Sequence, residues 1–145
     1  MLIVHGFAKQ RTFLTALALF ALIWGLGQTA CAATVTTLAG SGEAGVADGP
    51  ARSASFMLPV GLAWDAKGRL YVADAAAQRL RVVLPDGSVR TVAGSGQPAK
   101  TGIWVPGGYA DGKGSAARFN TPMGIAVGPG GDVYVATRET TASGR

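Results

Sequence analysis

The stretch VGLAWDAKGRLYVADAAAQRLRVVLPDGSVRTVAG, Val60 to Gly94, decides the fold. VGLAW (Val60 to Trp64) and RLYVA (Arg69 to Ala73) are short apolar runs rich in β-forming residues. The turn signal DAKG separates them. RLRVVL (Arg79 to Leu84) alternates at first and breaks at PDG, Pro85 to Gly87. SVRTVAG alternates again, with Val89, Thr91 and Ala93 on one side and Arg90 and Val92 on the other. Four strands with tight turns and no helical period between them predict a four-stranded antiparallel meander over about 60–94.

The same phrases return along the chain. VTTLAGSG (Val35 to Gly42) recurs as VRTVAGSG (Val89 to Gly96). ADGPARSASFMLPVGLAWDAKGRLYVAD (Ala47 to Asp74) recurs as ADGKGSAARFNTPMGIAVGPGGDVYVAT (Ala110 to Thr137). The second pair stands further apart than the first, and the excess is an insertion within Gln97 to Tyr109. Phe56 matches Phe119, Pro59 matches Pro122, Gly61 matches Gly124 and Tyr71 matches Tyr134. A period of about 40–55 residues marks a propeller or another stacked-repeat fold. Equivalent residues in such a stack are expected to share surroundings, so Tyr71 and Tyr134 are expected in like environments. The aromatic positions Phe56, Trp64, Tyr71, Phe119 and Tyr134 are expected to pack between units.

These residues resemble the NHL repeat of six-bladed β-propellers. The resemblance rests on P-x-G-L-A-x-D-x-x-G-x-L-Y-V-A-D, then R-L-R-V, then D-G-x-V-x-T-V-A-G, and it spans Val35 to about Ala136. The first copy reads YVADAAAQRLR, without the Asn usual before the Arg pair; the second reads YVATRETTASGR. The resemblance implies an all-β, incomplete β-propeller of four-stranded antiparallel blades, with one complete blade at about 60–94 and partial blades on either side. A closed ring needs about four to eight blades. The expectation is therefore a truncated portion of a longer propeller, or a chain that self-associates.

The segment 1–32 belongs to another class. Lys9 and Arg11 precede an uncharged apolar stretch, Thr12 to Gly27, followed by QTACAA with small residues at Ala30 and Ala32. This pattern predicts an N-terminal signal helix in a signal peptide over 1–32 and an extracytoplasmic (periplasmic or secreted) mature chain, 33–145. The apolar stretch is shorter than the roughly 20 residues of a membrane span. An uncleaved anchor is the alternative. Cys31 invites lipidation, but Gln28 stands where an aliphatic residue is usual.

Removing 1–32 leaves eleven basic against eight acidic residues, a surplus too mild for a nucleic-acid face. His5 and Cys31 are the only His and Cys. The mature part thus has no imidazole or thiol for a Ser-His-Asp triad, a Cys nucleophile or a His/Cys metal site, and no disulfide. GSGEAG (Gly40 to Gly45) matches a dinucleotide fingerprint in letters, but no helix is expected after it. Ser41 and Ser95 lack a base. The repeated Asp48-Gly49 and Asp111-Gly112 read as turns.

Two sets of candidate site residues remain. Trp104, Ile103 and Tyr109 lie in the Gly- and Pro-rich insertion, where a rigid scaffold can present aromatic surface to a protein, a small molecule or a carbohydrate. A loop folded back over a sheet edge is the alternative. Asp65 and Asp74 are not shared between copies and are the candidates for Ca²⁺, a cation that wants six to eight oxygens; the competing expectation pairs Asp74 with Arg79 or Arg81. The expected function is a non-catalytic, cofactor-free binding scaffold. The alternatives are a fragment of a propeller enzyme of lactonase or lyase type with a metal in the central channel, and a non-functional truncated product.

Overall fold

The computed structural model describes residues 2–6, 33–95 and 105–138. Within them the chain is all-β, with a single 3₁₀ turn at Gly114–Ala116. The meander forms as expected: β4 (Pro59–Trp64), β5 (Leu70–Asp74), β6 (Arg79–Val83) and β7 (Ser88–Ala93) pair antiparallel in chain order. The short strand β3 (Gly49–Pro50) adds to the β7 edge through Gly49 opposite Val89. β1 (Leu2–Gly6) and β2 (Thr34–Ala39) form a second antiparallel pair, and β8 (Pro122–Val127) and β9 (Val133–Thr137) form a hairpin. The apolar stretch expected as a signal helix lies outside the described residues. No helix among them is long and apolar enough to cross a membrane.

Turn chemistry sets the register. In the β4–β5 turn, Asp65 Oδ1 accepts from the amides of Lys67 (2.9 Å) and Arg69 (2.8 Å). Gly68 takes φ 74° there, a left-handed conformation that favours glycine. Trp64 then faces Leu70, Leu62 faces Val72 and Ala63 faces Tyr71. The β8–β9 hairpin repeats this register at the equivalent positions of the second copy, with Val127 facing Val133 and Ala126 facing Tyr134.

The meander is covered on both sides. On one face Leu70, Val72, Val83 and Val89 pack against Ala39, Ala54 and Phe56, supplied by β2 and the segment after it. On the other, Tyr71, Leu80 and Val82 pack against Phe119 and against Ile125, Val127, Val133 and Val135 of the β8–β9 hairpin. The contact between β4 and β8 is close: a Cβ on Gly61 would lie 2.4 Å from the Met123 carbonyl oxygen, so only glycine fits.

Two expectations about the aromatic residues need correction. Tyr71 and Tyr134 do not share surroundings: Tyr71 is 6% exposed and Tyr134 63%. The reason is positional, since β8–β9 covers Tyr71 and no described residue follows to cover Tyr134. Trp64, expected between units, is 53% exposed, because β2 covers the β5–β7 side of its face and leaves β4 bare.

Candidate functional site

The segment following the insertion is held at fixed points. Val105, next to Trp104, is buried, and its amide donates to the Ala76 carbonyl (2.8 Å). The Gln78 side chain donates to the Val105 carbonyl (3.1 Å) and accepts from the Thr121 amide. Gln78 sits at φ 55°, rare for a residue with a Cβ, and those bonds hold it there. Beyond, the Gly108 amide donates to the Phe119 carbonyl (2.9 Å), and Ala110 and Arg118 form a bridge. Tyr109 stands between these two anchors, 75% exposed.

Tyr109 lines a cleft of about 350 Å³ with Asp111, Arg118, Phe119, Val133 and Val135. The cleft therefore offers an aromatic face, one acid, one base and an apolar floor. Trp104 and Ile103 lie outside the described residues. Two further clefts are open: one of about 420 Å³ between the Trp64–Arg69 and Val127–Gly131 turns, one of about 750 Å³ between Asp48–Arg52 and Asp86–Arg90.

Asp65 and Asp74 are not brought together. They lie at opposite ends of the β4–β5 hairpin, on the order of 17 Å apart along a six-residue strand. Asp65 also bonds the Arg69 guanidinium through its other oxygen. Desolvation would raise this carboxyl, but hydrogen bonds from Arg69 and Lys67 outweigh it and hold it below the usual range. Asp74 is fully buried and accepts from the amides of Met57 (3.2 and 3.1 Å) and Leu58 (2.7 Å). Burial pushes its carboxyl up, against the pull of those amides and of Arg81. Among the described residues no group of three or more His, Cys, Asp or Glu could hold a metal ion.

The residue that sequence reasoning underrated is Arg81. Its side chain is fully buried. One terminal nitrogen donates to the Ser55 carbonyl (3.0 Å) and lies 3.7 Å from Asp74; the other donates to the Ala47 carbonyl (2.8 Å) and to Asp48 Oδ1 (2.7 Å). The guanidinium also lies 5.1 Å from the centre of the Phe56 ring. Asp48 in turn accepts from the Thr91 amide (2.9 Å). Arg81 thus ties the segment after β2 to the meander, a structural role. The signal for it was an arginine in an alternating strand, on the same face as Val72.

No protein-family model matches the chain, and no curated protein matches it. Solved structures do. A protein of unknown function from Bacteroides thetaiotaomicron is 28% identical with a TM-score of 0.63, over 72% of this chain and 25% of that one. An auxiliary nutrient binding protein from the same organism is 24% identical with a TM-score of 0.57, over 70% of this chain and 26% of that one. A putative phosphatase, again from B. thetaiotaomicron, is 23% identical with a TM-score of 0.56, over 70% of this chain and 24% of that one. The chain spans about a quarter of the length of each. What it shares with them is the all-β fold.

Proposed function

We propose that this chain is part of an exported NHL-type β-propeller acting as a non-catalytic binding module for a small-molecule or carbohydrate ligand. The observation that carries the reading is Tyr109: an exposed aromatic ring, fixed between two backbone anchors, over a cleft with one acid and one base. Aromatic faces with few polar groups suit sugars and flat apolar ligands. The lack of His and Cys in 33–145 supports binding over catalysis. The nutrient-binding name of one structural neighbour agrees with it. Trp104 and Ile103 would extend the contact from the insertion. Export rests on the pattern of the segment 1–32, whose cleavage after 32 would also remove β1 from its pairing with β2.

The test is titration of the full chain with a panel of neutral oligosaccharides, read by calorimetry. Tyr109→Ala and Trp104→Ala should each weaken binding by about tenfold or more, the loss of roughly 1.4 kcal/mol, with an unchanged far-UV circular dichroism spectrum. No binding to any member of the panel, or equal binding by both variants and the parent, refutes the reading.

A further inference from the structure

The cleft of about 750 Å³ between Asp48–Arg52 and Asp86–Arg90 shares no lining residue with the Tyr109 cleft. It lies on the β3–β7 edge of the sheet, outside the two faces on which neighbouring units pack. Gly49 faces Val89 and Pro50 faces Ser88, which lays β3 along the start of β7. Arg90 follows Val89, past the Gly49 end of β3, and Arg52 follows the Pro50 end. Both arginines are exposed, and neither forms a hydrogen bond or an ion pair among the described residues. The two carboxylates of the cleft are occupied. Asp48 accepts from Arg81 (2.7 Å), from the Thr91 amide (2.9 Å) and from the Thr91 hydroxyl (3.1 Å). Asp86 accepts from the amide (2.8 Å) and the hydroxyl (2.7 Å) of Ser88. Those two bonds, with Arg90 nearby, hold the Asp86 carboxyl below its usual range. The acids are thus spent on the chain itself, and the guanidinium groups are not.

The repeat separates what the fold needs from what it does not. Asp48 and Gly49 return as Asp111 and Gly112. Arg52, by contrast, stands where the second copy has Ser115, and Arg90 where VTTLAGSG has Thr36. A side chain that every unit requires recurs in every unit, so these two arginines are available for a ligand. Guanidinium groups pair with planar oxyanions through two parallel hydrogen bonds. Pro50, Ala51 and Val89 give the cleft an apolar lining for the uncharged body of such a ligand. Because Asp48 and Asp86 keep their negative charge in the same walls, a densely charged anion is repelled there, whereas single charges placed apart can each reach one arginine. We propose that this edge cleft binds a ligand with two separated carboxylates on an uncharged body, an acidic oligosaccharide, with Arg52 and Arg90 each taking one carboxylate. The site is separate from the Tyr109 cleft and does not depend on it.

Calorimetric titration of the full chain with trigalacturonate reads the site. The parent should bind it at least about tenfold more tightly than neutral maltotriose, and the affinity should fall as salt rises. Arg52→Gln and Arg90→Gln should each weaken binding by about fivefold or more. Both positions are exposed, so the circular dichroism spectrum and Tm should not change. Arg52→Lys keeps the charge but loses the fork, and should recover only part of the affinity. Lys67→Gln, which removes an exposed cation from another cleft, and Tyr109→Ala should both bind trigalacturonate as the parent does. A parent that does not distinguish trigalacturonate from maltotriose, arginine variants that bind like the parent, or an equal loss in Lys67→Gln or Tyr109→Ala would each overturn the proposal. Tighter binding of inorganic tripolyphosphate than of trigalacturonate would overturn the assignment to carboxylates. Failure of neutral sugars to bind bears on the Tyr109 cleft alone.

Discussion

Replacing Arg81 with Met should be among the costliest single changes in this chain. The substitution keeps most of the aliphatic volume but removes a fully buried cation. It strands the Ala47 and Ser55 carbonyls and takes from the buried Asp74 carboxylate the nearer of the two cations, Arg81 and Arg79, that favour its charge. Breaking a buried ion pair from one side costs about 3–5 kcal/mol. Domains of this size hold on the order of 10 kcal/mol in total, so a third to a half of the stability is at stake. With a urea m-value of about 2 kcal/mol/M, the midpoint should fall by about 2 M. Asp74→Asn measured alone and with Arg81→Met completes a cycle. Because the two side chains share one buried cluster, the double variant should be less damaged than the sum by about 1 kcal/mol or more. A single-variant loss below about 1 kcal/mol would show that Arg81 does not hold the segment after β2 to the meander, and strict additivity would show that Arg81 and Asp74 do not act as one buried cluster.

Gly61→Val should detach β8–β9 from the meander, costing about 1–3 kcal/mol or more, because its Cβ would meet the Met123 oxygen at 2.4 Å; increased exposure of Tyr71 in near-ultraviolet spectra checks it. Gln78→Ala should cost about 1–3 kcal/mol by unpairing the Thr121 amide and the Val105 carbonyl, with faster amide exchange at Thr121 as the local readout. Asp65 is held below its ordinary value of 3.8, so its stabilising effect is complete above that pH and is lost as pH falls through the lower, folded-state value. The gap in urea midpoint between the parent and Asp65→Asn should therefore narrow with acidification below 3.8; a gap independent of pH would count against the hydrogen bonds from Arg69 and Lys67.

The meander was legible because its information is local. Alternation in Ser88–Ala93 and the Asp-Gly and Lys-Gly turns specify strands and register without reference to the rest of the chain. The faces followed over the first part of β7, where Val89 is buried and Arg90 exposed, but Ala93, expected on the side of Val89 and Thr91, is turned by the bulge at Val92 to the opposite face, beside Leu80. What was not legible depends on neighbours far along the chain. Tyr71 and Tyr134 carry the same local phrase, and only the presence of a following hairpin separates their fates. Gln78 reads as an ordinary polar turn residue; its bonds to the distant Val105 and Thr121 have no signature in its own surroundings. The candidate site was legible in part. Tyr109 was placed on an exposed loop from composition, whereas the cleft beside it requires Val133 and Val135 from β9.

The clamp around Gln78 has a consequence for what the insertion can become. The chain leaves the meander at Gly94, where a Cβ would lie 2.3 Å from the Gln78 carbonyl oxygen, and it returns at Val105, bonded to Ala76 and Gln78. Exit and entry are thus pinned to one and the same corner. A connection between two ends held this close tolerates changes of length and letters, because closing a longer loop costs little extra. The fold has, in effect, a socket into which evolution or a protein engineer can fit a different recognition loop while the sheets beneath stay unchanged.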